Sequence, residues 1–249
     1  MAALLGAFSQ NFDQIPRLAL GAPLMWVINR LYHLFHDNSR QGARKNIHAH
    51  YDLGNDFYSR WLDPTMTYSA ARFAYPGQPL AEAQTNKYRL LAEQMDLRPG
   101  HRVLEIGCGW GGFAEYAARE VGAHVTAITI SQAALQIITI RDEYFDDYRK
   151  RADFIQRYVF PGGMLISEQR LRRETDQAGL AWNGLSRFGQ DYADTLALWS
   201  RAFEASWPEV EGLGFDERFR RLWRFYLGYC EAGFRTERTN VIHIGLSKS

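Results

Sequence analysis

The chain has 249 residues, of which 46% are hydrophobic and 23% are charged, and its formal net charge is +1. This length and apolar content suffice for a large buried core, whereas the near-neutral charge argues against nucleic acid as a partner. The two cysteines are too few for a disulfide framework, so the composition indicates a soluble enzyme of a reducing, cytoplasmic compartment.

Two amphipathic helices are predicted in the first hundred residues. Residues 23–36 carry apolar side chains at helical spacing and begin at Pro23, a residue favoured in the first turn of a helix. Residues 80–97 repeat this spacing and end at a turn signal. Between these helices, His48 and His50 are two positions apart, which does not place both on one helical face, so we expect no metal site.

A strand, a helix and a second strand follow in the order that begins a parallel α/β sheet. Residues 102–106 are predicted as the first strand, residues 113–119 as the helix and residues 124–130 as the second strand. Another β-branched run, at 136–140, follows so soon that a parallel crossover of a dozen or more residues has no room. We therefore predict an incomplete central sheet.

The C-terminal part of the chain is predicted to be mostly helical. Apolar residues recur at helical spacing over 196–207 and again over 219–230, and residues 240–246 are typical of an edge strand. Arginines and aromatic residues interleave over 218–226, a mixture suited to anionic head groups and the aromatic layer of a membrane interface. A core helix with a solvated basic face explains the same pattern nearly as well.

Three glycines mark a candidate cofactor-binding turn. Gly107, Gly109 and Gly111 follow the first strand and precede a helix, where missing side chains let backbone amides approach a ligand. Gly112 completes the pattern G-x-G-x-x-G, which alone also permits a nicotinamide or flavin cofactor, or a turn that only caps the helix. Glu105 favours S-adenosylmethionine, because its carboxylate can reach the cationic amino-acid end of that cofactor. The second strand also ends without the acidic ribose ligand of dinucleotide sites.

The blocks IGCGWGG and HYDLGNDFYSRWLDPTMTYS resemble the cyclopropane-fatty-acyl-phospholipid synthase family. Three later blocks, DFIQRYVFPGGMLIS, FGQDYADTLALW and FYLGYCEAGFR, also match, and all five stand in family order from about Asn46 to Phe234. The resemblance implies an α/β, class I Rossmann-like methyltransferase fold with added helical segments. Residues 1–97 would form an N-terminal helical segment and cofactor lid. Residues 98–249 would form a shortened methyltransferase domain with a helical lipid-binding insertion at about 141–235.

The function that this resemblance implies is S-adenosylmethionine-dependent methyl(ene) transfer to the cis double bond of unsaturated phospholipid acyl chains, which forms cyclopropane fatty acids. The expected partner is a phospholipid bilayer surface at the inner face of the membrane, with the chain peripherally associated from the cytoplasm; a homodimer is left open. Two alternatives also stay open: an inactive, lipid-surface-binding remnant of the family, and a nicotinamide-dependent oxidoreductase. A third alternative is that the gap is an artefact of how the sequence was assembled, in which case an uninterrupted reading frame contains the missing block.

The family's cofactor-binding positions carry over to the first half of the chain. The matching residues are Tyr68, Ser69, Glu105, Gly107, Cys108, Gly109, Gly111, Thr129, Ser131 and Gln132.

The family's proton acceptor is a bound bicarbonate ion, whose ligands are only partly matched. Tyr192 matches the tyrosine and Ile138 the backbone contact, but Gln136 replaces the histidine and Ala70 replaces the cysteine. The glutamate belongs to a block of about 60 residues, or two strand–helix units, that this chain omits after Leu135.

Cys230 matches a cysteine commonly assigned as the family's active-site residue. The resemblance therefore assigns catalytic roles to Cys230 and Tyr192. Methyl transfer to an alkene needs no thiol nucleophile, however, and a lone helical cysteine beside aromatic residues is more often a small buried apolar side chain.

Overall fold

A computed structural model of the protein describes residues 3, 5–6, 53–128, 137–150, 153–160 and 163–248. Several predictions fall outside these residues, namely the helix at 23–36 and the positions His48, His50, Thr129, Ser131, Gln132 and Gln136.

The first half contains the predicted strand, helix and strand. Its elements are α1 (Gly54–Ser59), α2 (Leu80–Gln94), β1 (Arg102–Ile106), α3 (Gly112–Tyr116) and β2 (His124–Ile128). A π-helical turn, Ala117–Val121, prolongs α3 and ends at Gly122, whose φ of 77° lies in the left-handed region that glycine tolerates. The predicted helix 80–97 and strand 102–106 are confirmed.

The second half alternates short strands with helices. Its elements are β3 (Ile137–Ile140), α4 (Asp142–Tyr148), α5 (Phe154–Tyr158), β4 (Ile166–Ser167), α6 (Glu168–Gln177), β5 (Leu180–Arg187), α7 (Gly189–Ala205), α8 (Trp207–Gly212), α9 (Glu217–Arg235) and β6 (Thr239–Lys248). The two predicted C-terminal helices are confirmed as α7 and α9. The Asp216 carboxylate starts α9, because Oδ1 accepts the Phe219 N–H at 2.7 Å.

The strands form two separate sheets. β1 and β2 pair in parallel, from Arg102 opposite His124 to Ile106 opposite Ile128. The other sheet has the order β4-β3-β6-β5, in which β6 is antiparallel to both β3 and β5. Since β2 and β3 are consecutive strands but lie in different sheets, the predicted break of the central sheet is confirmed.

The prediction of an edge strand at 240–246 is wrong, because β6 is paired on both sides. Its unexpected neighbour is β5, which lies within the range predicted as a helical insertion. The register of β5 shifts between Trp182 and Leu185, and Gly184 there has a φ of 92°. This bulge interrupts the alternation of side chains, so the sequence of β5 carries no regular strand pattern.

The two faces of the β1–β2 sheet are unequally covered. Val103 and Val125 pack against a small cluster that includes Phe113. On the opposite face, Leu104 is 60% and Ile106 is 70% exposed. A parallel sheet is normally covered on both faces, so this open apolar face agrees with the omission of a block after Leu135.

The main core is aromatic and joins α1, α7 and α9. Its largest fully buried side chains include Trp199, Tyr58, Phe57 and Phe203. We call this cluster the aromatic core. The arginine-rich helix α9 belongs to it, because Trp223 and Tyr226 are 2% and 4% exposed. The structure therefore favours a core helix with a solvated basic face over an aromatic membrane layer for α9. No helix in the described part of the chain is long and apolar enough to cross a membrane.

Candidate active site

The glycine-rich turn has the backbone conformation that the sequence predicts. Gly107, Gly109 and Gly111 have φ angles of 84°, 56° and 87°, which side chains rarely allow. The Gly107 N–H donates to the Ile128 carbonyl at 2.8 Å, so the turn is fixed to the end of β2. The turn therefore presents backbone groups at the carboxyl ends of both parallel strands, the usual ligand side of an α/β sheet.

Glu105 gives this turn its charge. The carboxylate is half-buried, and its Oε2 atom is buried without a hydrogen-bond partner among the described residues. Burial raises the pKa of Glu105, and a hydrogen bond from the backbone N–H of Ala114 opposes that rise. A buried carboxylate oxygen that lacks a donor costs free energy, which a cationic ligand would recover. The predicted residues thus fit the ammonium end of S-adenosylmethionine.

Trp110 connects the glycine-rich turn to α1. Its Nε1–H donates to Asn55 Oδ1 at 3.1 Å, and its ring centroid lies 5.5 Å from that of Tyr58. Asn55 and Tyr58 belong to the HYDLGNDFYS block, whose resemblance to the family suggested a contact with the cofactor. The turn and this block are therefore neighbours, as a shared site requires.

Tyr68 lies inside the aromatic core. Its hydroxyl is 3.0 Å from the Tyr226 hydroxyl, and its ring centroid is 5.1 Å from those of both Tyr58 and Trp199. Burial is the main cause that raises the pKa of Tyr68 and of Tyr226 well above the ordinary value. Both hydroxyls are therefore neutral at physiological pH.

Tyr192 and Cys230 lie near the same pair of hydroxyls. The Tyr192 ring centroid lies 4.6 Å from that of Phe234, and Tyr192 and Cys230 are both near enough to Tyr226 to contribute to the rise of its pKa. Burial, with a smaller effect of Asp153, raises the pKa of the Cys230 thiol. Because the thiolate is the nucleophilic form, this protonated thiol is not an activated nucleophile.

Tyr226 lies beside the candidate site residues, a position that the sequence did not indicate. The sequence pattern leaves open whether Tyr226 belongs to a membrane-interface layer or to a core helix, and in the structure its hydroxyl lies 3.0 Å from that of Tyr68 in the core. The available signal was its spacing, because Tyr226 is four residues before Cys230 and therefore on the same helical face.

The described residues do not make a complete bicarbonate site. Tyr192 is the one predicted ligand with a polar side chain among them, and Ile138 packs against the aromatic core. Ala70, at the position of the family's cysteine, is 0% exposed and offers no polar side chain. A buried anion needs several donors, so we derive no step through bicarbonate.

Comparison with known protein families identifies the chain. The sequence pattern of the mycolic acid cyclopropane synthetase family matches residues 38–141 and 133–244. Cyclopropane-fatty-acyl-phospholipid synthase of Escherichia coli is 30% identical over 290 aligned positions, which cover 88% of this chain and 75% of that protein. Tuberculostearic acid methyltransferase UfaA1 of Mycobacterium tuberculosis is 32% identical, over 82% of this chain and 65% of that protein.

Solved structures show the same fold. The cyclopropane synthase MmaA2 of Mycobacterium tuberculosis superposes with a TM-score of 0.73 at 23% identity, over 82% of this chain and 98% of that one. The mycolic acid cyclopropane synthase CmaA1, complexed with SAH and CTAB, gives a TM-score of 0.70 at 24% identity, over 82% of this chain and 97% of that one. The class I methyltransferase fold is thereby confirmed.

The alignments also contain the predicted gap. Since 88% of 249 residues is about 219, about 70 of the 290 positions aligned with the Escherichia coli protein hold no residue of this chain. The two matched family segments meet at residues 133–141, around the predicted omission after Leu135. The chain belongs to the mycolic acid cyclopropane synthetase family, as a member that lacks a block in the middle of its methyltransferase sheet.

Proposed function

We propose that this chain transfers a methyl carbon from S-adenosylmethionine to the cis double bond of unsaturated phospholipid acyl chains, which forms cyclopropane fatty acids. The observation that carries the proposal is the junction at Trp110. This residue joins the aromatic core to a turn in which one carboxylate oxygen of Glu105 is buried without a hydrogen-bond partner among the described residues. The name of the Escherichia coli relative, cyclopropane-fatty-acyl-phospholipid synthase, supplies the substrate class.

The cofactor half of the site would use Glu105 for the ammonium group and the turn at 107–111 for backbone contacts. Tyr68 and Ser69 would approach from the segment that follows α1. When bound, the cofactor supplies an electrophilic methyl group on a sulfonium centre. The protein's contribution is to fix this methyl group against an acyl double bond, because orientation removes much of the entropic barrier of a bimolecular reaction.

The aromatic core would stabilise the positive charge of the reaction. The neutral aromatic rings of Tyr58 and Trp199 each have their centroid 5.1 Å from that of Tyr68. A cation over such a ring gains about 0.5 kcal/mol when exposed and about 2 kcal/mol when desolvated. The carbocation that methyl addition creates on the acyl chain would be held by ring faces rather than by a carboxylate that could trap it, until the added methyl group loses a proton to a base and the ring closes. Exclusion of water also protects that cation from hydration.

We also propose peripheral association with the cytoplasmic membrane surface, where the acyl chains lie. The support comes from two exposed apolar side chains that lie close in sequence, Tyr158, which is 63% exposed, and Met164, which is 51% exposed. The buried aromatic face of α9 does not support it. The division at residue 97 into a lid and a shortened methyltransferase domain stays a prediction, as does a homodimer.

Isothermal titration of the purified chain with S-adenosylhomocysteine tests this function first. Circular dichroism and gel filtration would establish that the chain is folded and monodisperse. We expect saturable binding by the wild type and at least tenfold weaker binding by Glu105→Gln. Transfer of a labelled methyl group to vesicles of unsaturated phosphatidylethanolamine would then test the substrate. A folded chain that fails to bind would refute the assignment of activity and favour the inactive remnant.

A further inference from the structure

One face of helix α2 is polar and yet almost fully buried. Gln84, Lys87 and Tyr88 are 0%, 4% and 8% exposed, and their spacing of three and four residues places them on one side of the helix. Burial of an amide and an amine is costly unless both are hydrogen-bonded. Among the described residues, the side-chain hydrogen bonds of all three go to the segment that carries Tyr68 and Ser69, or to α2 itself.

Gln84 holds the backbone on both sides of Tyr68. Its Nε2 donates to the Ser69 carbonyl at 2.9 Å and to the Thr67 carbonyl at 3.3 Å. These two carbonyls flank Tyr68, so a single side chain fixes the peptide groups from which the tyrosine projects into the aromatic core.

Lys87 fixes both Ser69 and Gln84. Its Nζ donates to Ser69 Oγ at 2.7 Å and to Gln84 Oε1 at 2.7 Å. The second bond orients the amide of Gln84, because with Oε1 occupied by the amine, Nε2 faces the two carbonyls. The first bond occupies one lone pair of the Ser69 hydroxyl and leaves its proton available to a ligand.

Tyr88 connects this segment to the glycine-rich turn. Its hydroxyl lies 2.6 Å from Thr67 Oγ1, and a Cβ atom on Gly112 would lie only 2.2 Å from the same hydroxyl. Any larger residue at position 112 would clash, because Tyr88 occupies the space that its side chain would need. This reason differs from the cofactor contact that its place in G-x-G-x-x-G indicates.

We infer that Gln84, Lys87 and Tyr88 are positioning residues that hold Tyr68 and Ser69 in a fixed place relative to the glycine-rich turn. The inference rests on the proposed function, because these two elements are the halves of the cofactor site. Neither Lys87 nor Gln84 needs to contact the cofactor, since each acts through Ser69 or through the backbone around Tyr68.

The surroundings of Lys87 favour the uncharged form of its amine, which can still donate both hydrogen bonds. Burial lowers the pKa of Lys87 to about 7, and Asp63 opposes this shift from a distance. On the side of β6, His243 lies within electrostatic range of Lys87 and Arg72, and its own pKa is lowered. An amine that is largely uncharged above neutral pH needs no carboxylate partner, and its two hydrogen bonds suffice.

A double-mutant cycle on S-adenosylhomocysteine affinity tests the inference. We expect Lys87→Met and Ser69→Ala each to weaken binding by roughly tenfold, and the double variant to be about as weak as either single variant. A purely structural lysine would instead give effects that multiply, and that result would overturn the inference, as would unchanged affinity of Lys87→Met. The exposed Lys150, replaced in Lys150→Met, is the matched control and should bind as the wild type does.

Amide hydrogen exchange without ligand provides a readout that is independent of the proposed function. In Lys87→Met and in Tyr88→Phe, exchange should accelerate at residues 67–70 and stay unchanged in α9. If the wild type binds no S-adenosylhomocysteine, the proposed function fails. The exchange rates at residues 67–70 still test whether Lys87 and Tyr88 position this segment. Uniform acceleration over the whole chain, or none at 67–70, would contradict that role.

Discussion

The hydroxyl groups of Tyr68 and Tyr226 lie 3.0 Å apart, although the two residues are separated by 158 positions in the chain. Their side chains are only 8% and 4% exposed. This hydrogen bond joins the segment that would hold the cofactor to helix α9, which carries Cys230. This buried polar contact therefore connects the two halves of the candidate site inside the aromatic core.

The losses of stability caused by replacing Tyr68 and Tyr226 one at a time should add up to more than the loss caused by replacing both together. Tyr68→Phe and Tyr226→Phe each remove one partner of the buried hydrogen bond and leave the other hydroxyl without it, at a cost of about 1–3 kcal/mol. The double variant removes both hydroxyls, so its free energy of unfolding should fall by less than the sum. Urea denaturation measures this, with the exposed Tyr158→Phe as the control. Strictly additive losses would show that the two hydroxyls do not interact.

Glu105→Gln should separate stability from cofactor binding. The buried Oε2 atom lacks a partner among the described residues, so an uncharged amide there should leave the melting temperature unchanged or raise it. The same change removes the charge that would attract the ammonium group of the cofactor. Differential scanning calorimetry and titration with S-adenosylhomocysteine measure the two effects. A variant that loses stability and affinity together would mean that Glu105 has a structural role instead.

Cys230 should behave as a protonated, unreactive thiol. Burial raises the pKa of this thiol above its ordinary value, so little thiolate is present between pH 7 and pH 9. We expect iodoacetamide to alkylate Cys230 at least tenfold more slowly in the native chain than in urea, as followed by peptide mass spectrometry. Cys230→Ala should retain most of the S-adenosylhomocysteine affinity.

The outcome for Cys230 bears directly on its assigned catalytic role. If Cys230 is alkylated fast at pH 7 and Cys230→Ser loses methyl transfer, the Cys230 thiol is activated and takes part in the reaction. Slow alkylation with turnover retained in Cys230→Ser would instead make it a packing residue beside Tyr226.

His243 should make the fold sensitive to mild acid. Burial, with Lys87 and Arg72 nearby, lowers the pKa of His243 from 6.5 to about 4. Between these values the unfolded chain binds a proton that the folded chain does not, so the free energy of unfolding should fall as the pH drops from about 6.5 to 4. Urea titrations of the wild type and of His243→Gln over this range measure the difference. Parallel pH profiles for the two proteins would remove His243 as the cause.

The local signals in the sequence predicted the cofactor half of the fold well. β1 and the glycine-rich turn follow from a strand pattern with glycines at fixed offsets, and both depend on a few consecutive residues. The break after β2 followed from chain length alone, because residues 132–135 cannot contain a crossover. None of these inferences depends on a contact between residues distant in the sequence.

Features that depend on distant contacts were missed. β5 carries a bulge at Gly184 that hides its alternation, and β6 is central only because β5 pairs with it. The burial of Lys87 is set by residues 67–69, which lie about eighteen positions earlier in the chain. A lysine on an amphipathic helix is ordinarily solvated, so no local pattern distinguishes Lys87 from its exposed neighbours.

The open face of the β1–β2 sheet predicts an unusual response to polar substitution. Leu104 and Val103 are adjacent in β1 and point to opposite faces, and Leu104 is 60% exposed while Val103 packs against the cluster around Phe113. Leu104→Thr should therefore change the free energy of unfolding by less than about 0.5 kcal/mol and should reduce aggregation, because it removes exposed apolar surface. Val103→Thr, the matched control, should cost about 1–3 kcal/mol, since it buries a hydroxyl. Urea denaturation and light scattering measure both effects. If Leu104→Thr costs as much as Val103→Thr, the face of Leu104 is covered in solution and the sheet is not open there.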